Sequence, residues 1–133
     1  MIGLDTNVLA RYLAGDPAHD TQVAKAITAI DAALGKRETL YVNLVVVSET
    51  YWVLSRHYNV PRKAILDALM QLLNHEGFEV ESASAIRKAI KNALAQNADF
   101  ADCLIAELNR TAGCAHTLSF DKKAARKLGF KSP

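Results

Sequence analysis

Apolar positions recur along this chain in short blocks, and the spacing within the blocks changes from one to the next. Met1-Ile2-Gly3-Leu4 is a brief apolar run closed by Asp5, after which Val8, Leu9, Tyr12 and Leu13 fall at helical spacing behind the cap-forming set Asp5-Thr6-Asn7. This predicts a strand, then a helix, with Asp5 at the junction. Gly15-Asp16-Pro17 interrupts, and Pro17 is placed to open an Ala-rich helix running to about Leu34 and stopping at Gly35. Leu40-Tyr41-Val42 predicts a second strand, and Asn43 is suited to cap a helix from Leu44 to about Tyr58. Asn59-Val60-Pro61 separates it from a helix over about Arg62 to His75, and Phe78-Glu79-Val80 predicts a third strand. Helices near Ala83–Ala95 and Asp99–Thr111 then precede a strand at Cys114–Leu118, a short helix at Asp121–Lys127 and a last strand at Phe130.

Strands that alternate with helices imply an α/β fold with a parallel sheet covered on both faces. The 133 residues fit one domain, 1–133, and carry no repeats, low-complexity tracts or long linkers. In such a sheet ligands bind beyond the carboxyl ends of the strands. Asp5 follows the first strand and Asp121 follows the strand through Thr117, so both are expected at that edge, with Glu49 and Asp102 near helix starts able to reach it.

Composition narrows the function classes. Half the residues are hydrophobic and 23% charged, an ordinary globular balance. A net charge of +2 excludes bulk electrostatic grip on a polyanion, but Lys122, Lys123, Arg126, Lys127 and Lys131 cluster near the end, and Arg87, Lys88 and Lys91 form a second group. Each is equally readable as a solvated face. Cys103 and Cys114 lack ligand spacing and read as reduced core residues. No signal-peptide pattern opens the chain and no apolar run approaches the ~20 residues of a membrane span, so the expected location is cytoplasmic, away from membranes.

Asp5, Glu49, Asp102 and Asp121 stand where a solvent-facing charge is not expected, and each also has an ordinary structural account. Asp5 can cap the helix that follows it, although Thr6 or Asn7 could do so too. Glu49 interrupts the apolar run from Leu44 through Leu54 and shares a helical face with Val45, Val46, Trp52 and Val53. Such a carboxylate needs a salt bridge, to Arg11 or Arg56, or a metal. Asp99 and Asp102, three apart, repel by roughly a few tenths of a kcal/mol unless Asp99 is the N-cap. Asp121 can stabilise the start of a basic helix. His19, His57, His75 and His116 show no mutual ligand spacing, and no phosphate-cradling glycine loop, H-E-x-x-H or G-x-S-x-G is present.

Brought together, the acids would form an all-carboxylate site selecting hard cations, Mg2+ or Mn2+. Such an ion can polarise a phosphoryl oxygen and generate hydroxide from bound water.

The ordered set Leu4-Asp5-Thr6-Asn7-Val8-Leu9, Ser48-Glu49-Thr50, Asp99-Phe100-Ala101-Asp102-Cys103-Leu104-Ile105-Ala106 and Thr117-Leu118-Ser119-Phe120-Asp121 resembles the PIN-domain ribonucleases, in particular the VapC toxins of type II toxin-antitoxin systems. The resemblance covers essentially the full length. It implies a three-layer α/β/α sandwich around a central parallel sheet of about four or five strands. It also implies metal-dependent endonucleolytic cleavage of RNA, a VapB-like antitoxin as partner, and homodimers, which are common in the family. Position by position, it makes Asp5, Glu49, Asp102 and Asp121 the catalytic acids, with Asp5 and Asp102 as direct Mg2+ (or Mn2+) ligands. Asp99 falls where many relatives carry an additional acid. Thr6, Asn7 and Ser119, where a Thr is commoner, look like polar residues that orient carboxylates or water. Lys122, Lys123 and Arg126 are weaker candidates for steering the RNA backbone.

Two other readings stay open. A haloacid-dehalogenase-like phosphatase also places an Asp after its first strand, but needs a second Asp two residues on, where this chain has Asn7. A PIN-like binding module would hold RNA or a protein without cutting.

Overall fold

The apolar start and its polar punctuation build a strand and a helix, β1 (Ile2–Gly3) and α1 (Thr6–Ala14), with Asp5 as the N-cap between them. The computed structural model describes residues 1–133, which divide into two compact units, Met1–Glu81 and Ser82–Pro133.

The first unit continues through α2 (Thr21–Gly35), β2 (Leu40–Val42), α3 (Leu44–Arg56), α4 (Arg62–Asn74) and β3 (Phe78–Val80). The three strands pair in the order β1-β2-β3, all parallel, with Ile2 opposite Leu40 and Leu40 opposite Phe78. Parallel pairing needs long crossovers, and two helices lie in each connection. α2 packs against β2, α4 against β3, and α1 against both α2 and α3. Leu9, Ile30, Leu40, Val42, Leu54, Ile65 and Leu66 are fully buried. Full burial of one such side chain contributes about 1.5–3 kcal/mol. α3 begins where Asn43 Oδ1 accepts the Val46 amide at 2.9 Å and Glu81 Oε1 accepts the Leu44 amide at 3.0 Å, so two orphan donors of the first turn are satisfied. Gly15 closes α1. A Cβ there would stand 2.6 Å from the Arg11 carbonyl and collide with Val23.

The expected start of α2 at Pro17 is not observed. Residues 17–19 form a turn in which Asp16 Oδ1 accepts the Ala18 amide, and Asp20 caps α2 by accepting the Gln22 amide at 2.8 Å. A side-chain cap three residues later outcompetes the preset φ of proline.

The second unit holds α5 (Ala83–Gln96), α6 (Phe100–Thr111) and α7 (Lys122–Leu128). α5 and α6 are its principal packed pair, burying Ile86, Ala89, Ile90, Ala93, Phe100 and Cys103. Asn97 ends α5 in the left-handed conformation (φ 49°), which asparagine adopts readily.

The strands expected at Cys114–Leu118 and Phe130 do not form. One isolated parallel bridge, Leu118 to Lys131, remains, so the sheet has three strands rather than four or five. Residues 114–116 are exposed and Leu118 is 58% exposed, leaving little apolar surface to hold a strand in register. The expected placement of Asp121 behind a sheet strand lapses with it. Cys114 is likewise exposed rather than in the core, while Cys103 is buried, and both are free thiols.

Candidate active site

Two of the expected acids line one pocket of the first unit. Asp5 at the head of α1 and Glu49 in the middle of α3 border a cavity of about 470 Å³, together with Thr6 and Asn7. The Asp5 carboxylate is fixed by its capping role, Oδ1 accepting the Thr6 amide at 2.8 Å. Thr6 is buried and Asn7 exposed.

Glu49 is exposed, and no ion pair joins it to Arg11 or Arg56. The apolar stripe on which it was expected to be buried is itself open to solvent at Val45 (64%) and Trp52 (55%). The core-facing side of α3 is Val46, Val47, Thr50 and Leu54. Glu49 therefore bears no burial penalty, and its place on the pocket wall is the reason to assign it a function.

In the second unit Asp99, Asp102 and Asp121 line a smaller cavity of about 310 Å³, with Lys123 and Lys127 beside them. Asp99 caps α6, its Oδ1 accepting the Asp102 amide at 3.0 Å. Asp121 caps α7, its Oδ1 accepting the amides of Lys123 at 2.8 Å and Ala124 at 3.1 Å. Ser119 supports this turn through its hydroxyl oxygen, which accepts the Asp121 backbone amide at 3.0 Å. Burial of Asp102, and after it the negative charges of Asp99 and Asp121, raise the Asp102 carboxyl above its ordinary value.

Within neither unit do three or more His, Cys, Asp or Glu side chains stand at the spacing to hold a metal ion. The donor chemistry nevertheless fits a hard divalent cation. All the acids offer oxygen, Asp5, Asp99 and Asp121 are each anchored through one oxygen to a backbone amide, and the strain on ionised Asp102 is what a cation would relieve.

Of the basic candidates, Lys122, Lys123 and Arg126 are exposed, and Lys123 reaches the acidic pocket. Lys127, not singled out for this pocket from the sequence, also lines it, and donates from Nζ to the Asn97 carbonyl at 2.6 Å. Ala10, Arg11, Val53, His57 and Tyr58 complete the first pocket; Arg11 was considered only as an ion-pair partner of Glu49, and spacing along the chain offered no signal for the others. Glu107 was missed as well. It is 9% exposed and paired through Oε2 with Arg110 at 2.8 Å.

A parallel sheet with helical crossovers, and pockets lined by oxygen-donor acids, define an α/β protein of the acid-site class. The PIN domain family model matches residues 2–130, and the chain belongs to the PIN domain family. Among characterised relatives, the "VapC ribonuclease" of Aquifex aeolicus (strain VF5) is 32% identical over 129 residues, covering 97% of this chain and 93% of that protein. Family membership decides against the haloacid-dehalogenase alternative. No helix is long and apolar enough to cross a membrane.

Proposed function

We propose that the chain is a VapC-like endoribonuclease, a hydrolase dependent on Mg2+ or Mn2+, forming a single PIN domain over 1–133. It is the toxin of a pair whose antitoxin is VapB-like, and it acts in the cytoplasm. The observation that carries the reading is that Asp5 and Glu49 line one pocket, in a chain that matches a VapC ribonuclease over 97% of its length.

Asp5 and Asp102 are the residues assigned to hold the ion, with Glu49 and Asp121 completing the acid set. A divalent cation held there would supply Lewis-acid polarisation of the phosphoryl oxygen and lower the pKa of bound water. The protein's own contribution is orientation. The Thr6 amide fixes the Asp5 carboxylate, Ser119 and the α7 amides fix Asp121, and the Asp99 cap sets the first turn that carries Asp102. Glu49, exposed and free of an ion pair, is available to take a proton from attacking water. Lys123, beside the acids, offers positive charge to the RNA backbone, with Lys122 and Arg126 on the same helix. The exposed apolar pair Val45 and Trp52 on α3 supports a homodimer.

The test is RNA cleavage with Mg2+, with EDTA, and by Asp5→Asn. Equal cleavage by the variant and the parent would sink the assignment, and RNA binding without products would favour a non-cleaving module.

A further inference from the structure

The pocket that holds Asp5 and Glu49 continues past them. Val53 lies one helical turn beyond Glu49 on α3, and His57 and Tyr58 follow at the end of that helix, all lining the same cavity. An apolar and aromatic wall thus begins about 6 Å along the helix from a candidate catalytic carboxylate. Trp52 braces this wall from outside. Its ring meets His57 edge-on, with centroids 5.5 Å apart and planes at 69°.

Arg11 lines the same cavity, and its guanidinium is held in place. Nε donates to Asp20 Oδ2 at 3.4 Å and Nη1 donates to the Asn7 carbonyl at 3.0 Å. Guanidinium has five N–H donors, so these two bonds leave three without a partner in this unit.

A preset guanidinium edge that shares a cavity with aromatic side chains matches an unstacked nucleobase. Single-stranded RNA is read by stacking bases on aromatic side chains and by hydrogen bonds to their edges. We propose that Arg11, His57 and Tyr58 form a nucleobase subsite that seats one base of single-stranded RNA, so that the neighbouring phosphodiester lies at Asp5 and Glu49. The subsite rests on the ribonuclease reading and adds specificity to it. Arginine pairs best with the two acceptors of guanine, O6 and N7, so guanine is the base the pocket favours.

The experiment measures binding by fluorescence anisotropy in an Asp5→Asn background, which separates binding from cleavage. The probes are a short uridine-rich single-stranded RNA with one guanosine and the same RNA with that base removed. The intact RNA is expected to bind about tenfold more tightly. Tyr58→Ala and Arg11→Gln should each reduce that preference severalfold, whereas Tyr58→Phe should keep it. Equal binding of the two RNAs, no binding of either, or a preference that survives both Tyr58→Ala and Arg11→Gln would overturn the subsite. Cleavage by the protein with Asp5 intact is scored separately. Base preference without cleavage counts against the nuclease reading alone, and cleavage without base preference counts against the subsite alone.

Discussion

Asp99 accepts the backbone amide of Asp102 through Oδ1 at 3.0 Å, so the residue that starts α6 also places a second carboxylate three positions along. One hydrogen bond therefore builds the helix and crowds two negative charges. Asp102 bears the consequence, since burial, then Asp99 and Asp121, raise its carboxyl above the ordinary value.

A carboxyl whose folded pKa is raised binds its proton more tightly in the native state. Its contribution to stability is complete below the unfolded pKa and is lost as pH rises through the folded one. At neutral pH ionised Asp102 therefore weakens the fold. In metal-free buffer, Asp102→Asn is expected to melt higher than the parent at pH 7, by at least a few tenths of a kcal/mol. That advantage should disappear near about pH 3, where the parent carboxyl is protonated. Thermal melts across that range check it, and a variant less stable than the parent at pH 7 refutes it.

Asp5 caps α1 as well as lining the pocket, so its two roles separate by substitution. Asn retains an oxygen for the Thr6 amide, and Asp5→Asn should lose cleavage by about a hundredfold or more with little change in stability. Asp5→Ala should lose cleavage equally and also about 1 kcal/mol of stability. Parallel activity assays and denaturant titrations distinguish the two variants.

Cation binding should compensate the acids of the second unit. Mg2+ in millimolar amounts is expected to raise the melting temperature of the parent, EDTA to reverse the rise, and Asp102→Asn to reduce it markedly. RNA cleavage should follow the same pattern. A melting temperature indifferent to Mg2+ in the parent would leave these acids without the proposed cation.

Thr50 is fully buried on α3, and its hydroxyl oxygen has no hydrogen-bond partner. Desolvating an unpaired hydroxyl costs about 1–3 kcal/mol. Thr50→Val keeps the branched shape and removes that cost, so it should stabilise the protein by about 1 kcal/mol. A loss of stability on urea unfolding would show that the hydroxyl is paired in solution.

Local chemistry was legible in the chain wherever it acts over a few residues. Asn43 and Asp99 were readable as caps because an N-cap is a bond between a side chain and an amide two or three positions on, and both make that bond; Asp121, read as a first-turn acid favoured by the helix dipole, is instead the cap of α7. β2 and β3 fall at Leu40–Val42 and Phe78–Val80 as their apolar pattern predicts. The same local reading misplaced the start of α2, where two chemically sound signals, Pro17 and Asp20, competed within four residues.

Helical periodicity determined that Val45, Glu49 and Trp52 share a face, but not which way that face turns. Only the packing of α3 on α1 and α4 turned Val46, Val47, Thr50 and Leu54 inward and left Glu49 exposed on the pocket wall. The gathering of Arg11 from α1 with His57 and Tyr58 from the end of α3 was decided the same way. So was the absence of a strand at 114–118, where only Leu118 bridges to Lys131. The sequence by itself determined most of the caps, the order of the elements that form and the candidate acids, because these depend on bonds between near neighbours. The tertiary structure decided which faces are covered and which residues share a cavity, because burial and parallel pairing join segments that the chain holds far apart.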